Sequence, residues 1–319
     1  MKKPTITKYT ISAWLCLQIV SYTLYAQDMK ALLDITFDFT QDKLNNPQYF
    51  VMNSVSKNYS LDGKLKHTDQ YTMYVHYLPA QHSQKKLNAY TCFKFVFQQD
   101  SSEAVTIPAL KNWSYTFTSG IDEKNQVFGI DHQRFENLKD ENGNILSQGA
   151  AYSIYNTFID FHSFCTYLAD PTEGKGIQHL KKIGQKIVHE SAYSEPPINL
   201  GSNVKEGSYF RNGEITLELM GLGVIQKKPC AIIHFESGDC FYKLTIQPLP
   251  DMEVITKGGS HWRGEMYRDL VTQWVNKVIM NEVVISETIL PAPPHKINAV
   301  VERNIIIRNL DKDEFYNYN

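Results

Sequence analysis

The sequence carries few signs of a particular reaction. His189-Glu190 begins like a zinc-protease helix, but Ala192 and Tyr193 follow and no second histidine completes HExxH. Gly258-Gly-Ser-His-Trp262 lacks the closing glycine of a nucleophile elbow. Gly221-Leu-Gly223 does not continue into a dinucleotide fingerprint, and no Walker-type phosphate loop occurs. The ten histidines show no other ligand spacing, and Cys230 and Cys240 lack the short spacing of a zinc knuckle. No basic run or arginine-rich stripe appears, which argues against a nucleic-acid partner. The reading therefore assigns no catalytic, cofactor-binding or metal-binding residue, and leans away from an enzyme.

Cysteine is scarce, with five in 319 residues. Four of them, Cys92, Cys165, Cys230 and Cys240, lie beyond residue 26, too few for a disulfide scaffold. Disulfides and buried free thiols both stay open. One pairing can be tested against a local expectation. Cys230 to Glu236 and Cys240 to Ile246 flank Ser237-Gly238-Asp239, which reads as a hairpin turn. Cys230 would then face Ile246, roughly 20 Å from Cys240 at ~3.3 Å per residue. A disulfide needs Cα atoms within about 7 Å, so this hairpin excludes a Cys230–Cys240 bond.

What the sequence does offer begins at its N-terminus. Lys2, Lys3 and Lys8 precede an apolar stretch holding Ile11, Trp14, Leu15, Leu17, Ile19 and Val20, and Ala26 stands before Gln27. Basic end, apolar middle and small residue at the cut read as a secretory signal over residues 1–26. A retained anchor would need roughly 20 predominantly apolar residues, and Gln18, Ser21 and Thr23 interrupt this stretch. Ala13-Trp14-Leu15 before Cys16 does not suit a lipid-attachment site. Cleavage would leave 293 residues with 29 basic against 34 acidic side chains, a formal charge of −5. No second segment is apolar enough to span a membrane, so the expectation is a soluble periplasmic or extracellular protein.

Aromatic residues make up 12% of the chain and fall in short alternating runs separated by polar turns. That pattern predicts antiparallel strands. In the N-terminal region, 27–147, the runs are Asp34–Phe39, Tyr71–Tyr77, Cys92–Phe97 and Trp113–Phe117. In the C-terminal region, 201–310, they are Ile215–Leu219, the 230–246 hairpin, Val278–Met280, Val283–Leu290, Ala299–Val301 and Asn304–Ile307. Pro248-Leu-Pro250 reads as a loop, Gly258-Gly259 as a turn, and Pro291 to Pro294 as a break. Between the regions, in 148–200, Ile154, Phe158, Phe161, Cys165 and Leu168 recur at helical spacing. Asp170-Pro171 would cap a second helix with Ile177, Leu180, Ile183 and Ile187 as its stripe, weakened by Gly174, Gly176 and Gly184. Residues 194–203 read as a linker and 311–319 as a frayed tail. The predicted class is α+β, mostly β: antiparallel meander sheets, curved or sandwiched, with one or two helices inserted mid-chain. Residues 27–310 are compatible with one domain.

Gln126-Val-Phe-Gly-Ile-Asp131 and Asn203-Val-Lys-Glu-Gly207, with the Met-Lys-Lys start and the Ala26-Gln27 junction, resemble elements of exported proteins of unknown function from Bacteroidota-type bacteria. The resemblance covers a few per cent of the chain and implies export, with no site carried over. In outline, the strand-and-helix order is also similar to curved-sheet periplasmic lipid carriers, a likeness of fold that does not establish function.

The remaining polar candidates have plain structural readings. Asp131-His132 and Asp160-Phe-His162 read as capping or surface groups, since residues two apart on a helix point away from each other. His234 is expected in the core, hydrogen-bonded to Tyr242. Asn58-Tyr-Ser60 and Asn112-Trp-Ser114 match glycosylation sequons that matter only in a cell that uses them. The reading is a non-catalytic extracytoplasmic protein binding a lipid, another apolar ligand or an envelope partner through a curved sheet. A hydrolase built without a motif, from His132, His162 or His261, and a structural envelope component are the alternatives.

Overall fold

The computed structural model describes residues 35–82, 88–120, 122, 126–196, 204–249 and 252–317. The export segment and most of the 194–203 linker lie outside them. The described chain is mostly β, as the alternating runs predict. Its strands are β1 (Gln48–Tyr59), β2 (Leu65–Leu78), β3 (Ala89–Gln99), β4 (Val105–Thr106), β5 (Trp113–Tyr115), β6 (Lys186–Val188) and β7 (Tyr209–Arg211). They continue with β8 (Ile215–Ile225), β9 (Lys228–Ser237), β10 (Cys240–Leu249), β11 (Met252–Asp269), β12 (Val275–Ile289) and β13 (Lys296–Leu310). Helix α1 is Gln148–His162 and helix α2 is Lys312–Asn317.

All thirteen strands join one antiparallel sheet, which does not close on itself. Its main path runs β4-β3-β2-β1-β13-β12-β11-β9-β8-β6, with β5, β10 and β7 attached at the sides. β1 pairs with β13 over eleven residue pairs, from Tyr49–Leu310 to Tyr59–Val300. The two strand-rich regions thus meet in the middle of one sheet.

Strand β1 is absent from the alternating runs for a physical reason. Its first half, Gln48 to Met52, is buried on both faces, and its second half carries Asn53, Ser54, Ser56 and Asn58. A strand buried on both faces shows no period of two. The Val278–Met280 and Val283–Leu290 runs are one strand, as are the last two runs. Asp34–Phe39 is not a strand where it is described. Phe37 N–H donates to the Lys181 carbonyl at 2.8 Å, and Phe39 seals the fully buried Arg268, whose guanidinium lies 5.3 Å from its ring.

The 230–246 hairpin does not form. β9 and β10 lie in line along the same side of β11: Glu236 to Cys230 pair with Arg263 to Asp269, and Cys240 to Ile246 with Ser260 to Val254. Ser237-Gly238-Asp239 is a kink between two collinear segments, with Gly213 backed against Gly238 so closely that a Cβ there would stand 2.4 Å from the Gly238 carbonyl carbon. The true hairpin is one strand earlier. β8 and β9 join through Gln226 and Lys227, with φ of 50° and 65°, the positive pair that a two-residue hairpin needs. Cys230 and Cys240 still cannot bond, because they lie along one line about nine residue pairs apart on β11, from Asp269 to Ser260. All four described cysteines are buried free thiols.

Gly258-Gly259 does not turn the chain either; both lie inside β11. Each strand glycine of β11 faces an aromatic residue: Tyr242 opposite Gly258, Phe241 opposite Gly259 and Phe235 opposite Gly264. A Cβ at Gly264 would stand 2.7 Å from the Phe235 ring, and one at Gly258 would stand 2.5 Å from the Tyr242 hydroxyl. The glycines let rings lie flat across the strand, which recovers packing that glycine alone forfeits.

Helix α1 covers one face of the sheet, the inner face. Ser147 caps it, its hydroxyl accepting from Ala150 N–H at 3.2 Å. Ile154, Phe158 and Phe161 are fully buried, and Phe50–Phe161 and Phe95–Phe158 ring pairs at 5.2 and 5.9 Å bind it to β1 and β3. A wider turn over Ser163–Tyr167 extends it and carries Phe164 onto Phe235 at 5.1 Å.

The second mid-chain helix is absent. A short turn, Ile177–His179, and strand β6 replace it. Ile177, Leu180 and Ile187 are buried as the stripe requires, but three glycines tax a helix by roughly 1 kcal/mol each, and Gly184 has a φ of 82°. Asp170 caps nothing and pairs with Lys43 at 2.7 Å. Residues 311–317 are not frayed: α2 packs on the outer face through Phe315, 1% exposed.

Candidate functional site

The residues that sequence reasoning weighed as acid–base groups fall in separate settings. Asp131 caps a short turn, accepting from Gln133 N–H at 3.0 Å, and His132 is the turn's first residue. Asp160 and His162 leave α1 in different directions. His162 is fully buried, bonded to the Tyr115 hydroxyl at 2.9 Å and stacked on Phe117 at 4.9 Å. Burial, with Lys43 nearby, pushes its pKa down to about 3, so it stays neutral. His189 is also buried, its Nδ1 2.7 Å from the Ser191 hydroxyl. His261 lies on the outer face of β11, 3.2 Å from Glu236, whereas its neighbour Ser260 points inward, as adjacent strand residues must. His234 is not a core residue bonded to Tyr242. It sits on the outer face of β9, 4.0 Å from the same Glu236, because without the expected hairpin its strand never lies beside β10. Tyr242 instead reaches across Gly258 to bond Ser286. Among the described residues no group of three or more His, Cys, Asp or Glu side chains is placed to hold a metal ion.

The unusual feature is the sheet itself. β10 to β13 and the end of β1 run on past α1, and register places a continuous row on their outer face: Phe241, Gly259, Ile285, Val300, Tyr59 and Leu65. Directly opposed residues share a face and touch. Phe241, Ile285 and Leu65 are 54%, 57% and 47% exposed, and Gly259, Val300 and Tyr59 between them are half-buried, so the row is a partly exposed apolar surface. Val283, one row nearer the core, is exposed as well. On the inner face the same strands carry Tyr242, Ser286 and Ala299, then Val284 and Val301. All five are half-buried.

A charged cluster marks where α1 meets this projecting half. Arg303 donates to Asp160 of α1 at 2.6 Å and to Glu282 of β12 at 2.6 and 2.8 Å. Burial pushes the Asp160 carboxyl up to about 6, against the pull of Arg303. Two carboxylates on one guanidinium tie helix to sheet, and neither is left in the open geometry that a nucleophile or proton donor needs.

Comparison with known proteins adds little to this picture. No family model matches the chain, and no curated protein does. Among solved structures, the outer membrane channel DcaP of Acinetobacter baumannii aligns over 83% of this chain and 96% of its own, at 7% identity. The TM-score is 0.14, too low to support an argument. Among the described residues no helix is long and apolar enough to cross a membrane.

This apolar surface was visible in the sequence only as strands. Its signal was the long β-branched run of β12 and β13, more apolar than a strand with one wet face requires. Which residues line up across it depends on register, and composition does not give register.

Proposed function

We propose that this protein is exported by means of its first 26 residues and acts outside the cytoplasm as a non-catalytic binding protein. It takes an apolar ligand, such as a lipid, or an envelope partner on the projecting half of its sheet. One observation carries the reading: the exposed apolar row from Phe241 through Ile285 to Leu65, which crosses strands from both ends of the chain. Contiguous apolar surface of this kind on a folded protein marks an interaction site more often than chance. The separation of His132, His162 and His261 into a turn, a sealed core and a surface ion pair weighs against the hydrolase alternative.

Native mass spectrometry of the full chain, expressed with its export segment and purified from the periplasm, tests this. A processed chain starting near Gln27 and carrying a reproducible bound mass or a co-purified partner is the expected result. An unprocessed cytoplasmic chain, or an empty monomer in repeated preparations, would contradict it.

A further inference from the structure

Helix α2 is held to the outer face chiefly by Phe315. Its ring centroid lies 5.3 Å from Tyr49, 5.6 Å from Phe93 and 6.1 Å from Tyr74. The fourth neighbour is an imidazole: His76 of β2, at 6.1 Å. His76 pairs with Tyr49 on one side and Thr91 on the other. Its Nδ1 is sealed from water and has no hydrogen-bond partner.

The groups facing His76 offer a positive charge no anion, and its Nδ1 no acceptor. Tyr49 on β1, Tyr74 on β2 and Tyr316 on α2 are phenols, and burial raises the pKa of Tyr49 and Tyr316, which keeps them neutral. By register, Lys94 on β3 lies opposite Tyr74, and Arg308 on β13 lies opposite Val51; both are cations. On α2, Lys312 and Asp313 are exposed and Glu314 is half-buried. Among the described residues no carboxylate pairs with His76.

We propose that His76 and Phe315 form an acid-sensitive latch, in which uptake of a solvent proton by the imidazole releases α2 from the sheet. The imidazolium carries an N–H on both ring nitrogens, and the one on Nδ1 has no acceptor while Phe315 stays in place. Lifting α2 lets water reach that atom. Burial lowers the His76 pKa in the latched state, in the direction that this coupling requires. Release uncovers Val51, Tyr74 and Phe93, on the same face as the apolar row.

Linkage makes the claim testable from both ends, because a helix that resists the proton must be resisted by it. Backbone hydrogen exchange of residues 311–317, corrected for intrinsic rates, should rise about tenfold or more between roughly pH 7.5 and pH 5. In His76→Gln that rise should vanish. Should the glutamine itself loosen α2, the NMR titration of the His76 ring still decides: Phe315→Ala should return it to about 6.5, the free imidazole value. Exchange independent of pH, or a His76 titration identical with and without Phe315, would overturn the latch.

Discussion

The two halves of β12 follow different rules. From Val275 to Met280 its inward side chains are sealed under α1 and the wide turn that follows it, with Val278 and Met280 at most 1% exposed. From Val284 to Ser286 the same inward face is only half-buried, and on the opposite, outer face Val283 and Ile285 stand in water. The same contrast runs through β11 and β13. One end of the sheet is a core and the other is a surface with the composition of a core. Folding explains the first. The second is where the proposed binding would take place, because exposed apolar rows gain the fold little and invite association.

The largest expected effect sharpens this contrast directly. Phe158→Ala, at the covered end, should cost about 3–5 kcal/mol in denaturant unfolding. Phe241→Ala or Ile285→Ala, at the projecting end, should stay within about 0.5 kcal/mol, as exposed substitutions do. Equal losses at the two ends would mean that the projecting half belongs to the core after all.

A second contrast lies within β11. Gly264→Ala should destabilise by roughly 1–3 kcal/mol, since its Cβ would meet both the Phe235 ring and the Ile279 carbonyl. Gly259→Ala, at the projecting end, meets the Cys240 carbonyl at 3.0 Å and the Phe241 ring only at 3.9 Å. It should cost clearly less in thermal melts.

An effect of similar size, spread over pH, concerns the border at Asp160. Burial raises its folded pKa to about 6, above its unfolded value. An acid shifted upward adds stability that is fully present below the unfolded pKa and is lost as pH rises through the folded one. Wild-type unfolding free energy should therefore fall by about 1–3 kcal/mol more than that of Asp160→Asn between pH 4 and pH 7. Parallel pH profiles for the two proteins would show that Arg303 outweighs burial at this carboxyl.

Much of the fold was legible because alternation and helical spacing report burial, and burial is what builds strands and α1. The misplaced turns share one cause. Ser237-Gly238-Asp239 and Gly258-Gly259 have the chemistry of turns, but long-range pairing decided their use: one is a kink between β9 and β10, the other a bed for aromatic rings. Gln226-Lys227 makes the real hairpin without any glycine signal. The Ile177–Ile187 stripe is buried as expected, yet its glycines favour a turn and a short strand over a helix. The strands of the apolar row were legible but the row itself was not, because Phe241, Ile285, Val300, Tyr59 and Leu65 come together only through register across strands far apart in sequence.

The most direct test of the central claim is native mass spectrometry of the exported protein beside its Ile285→Lys variant, each with its unfolding curve. The account predicts that the variant unfolds within about 0.5 kcal/mol of the wild type and loses the bound mass or partner. A variant of equal stability that keeps its cargo would contradict the assignment of binding to the projecting half of the sheet.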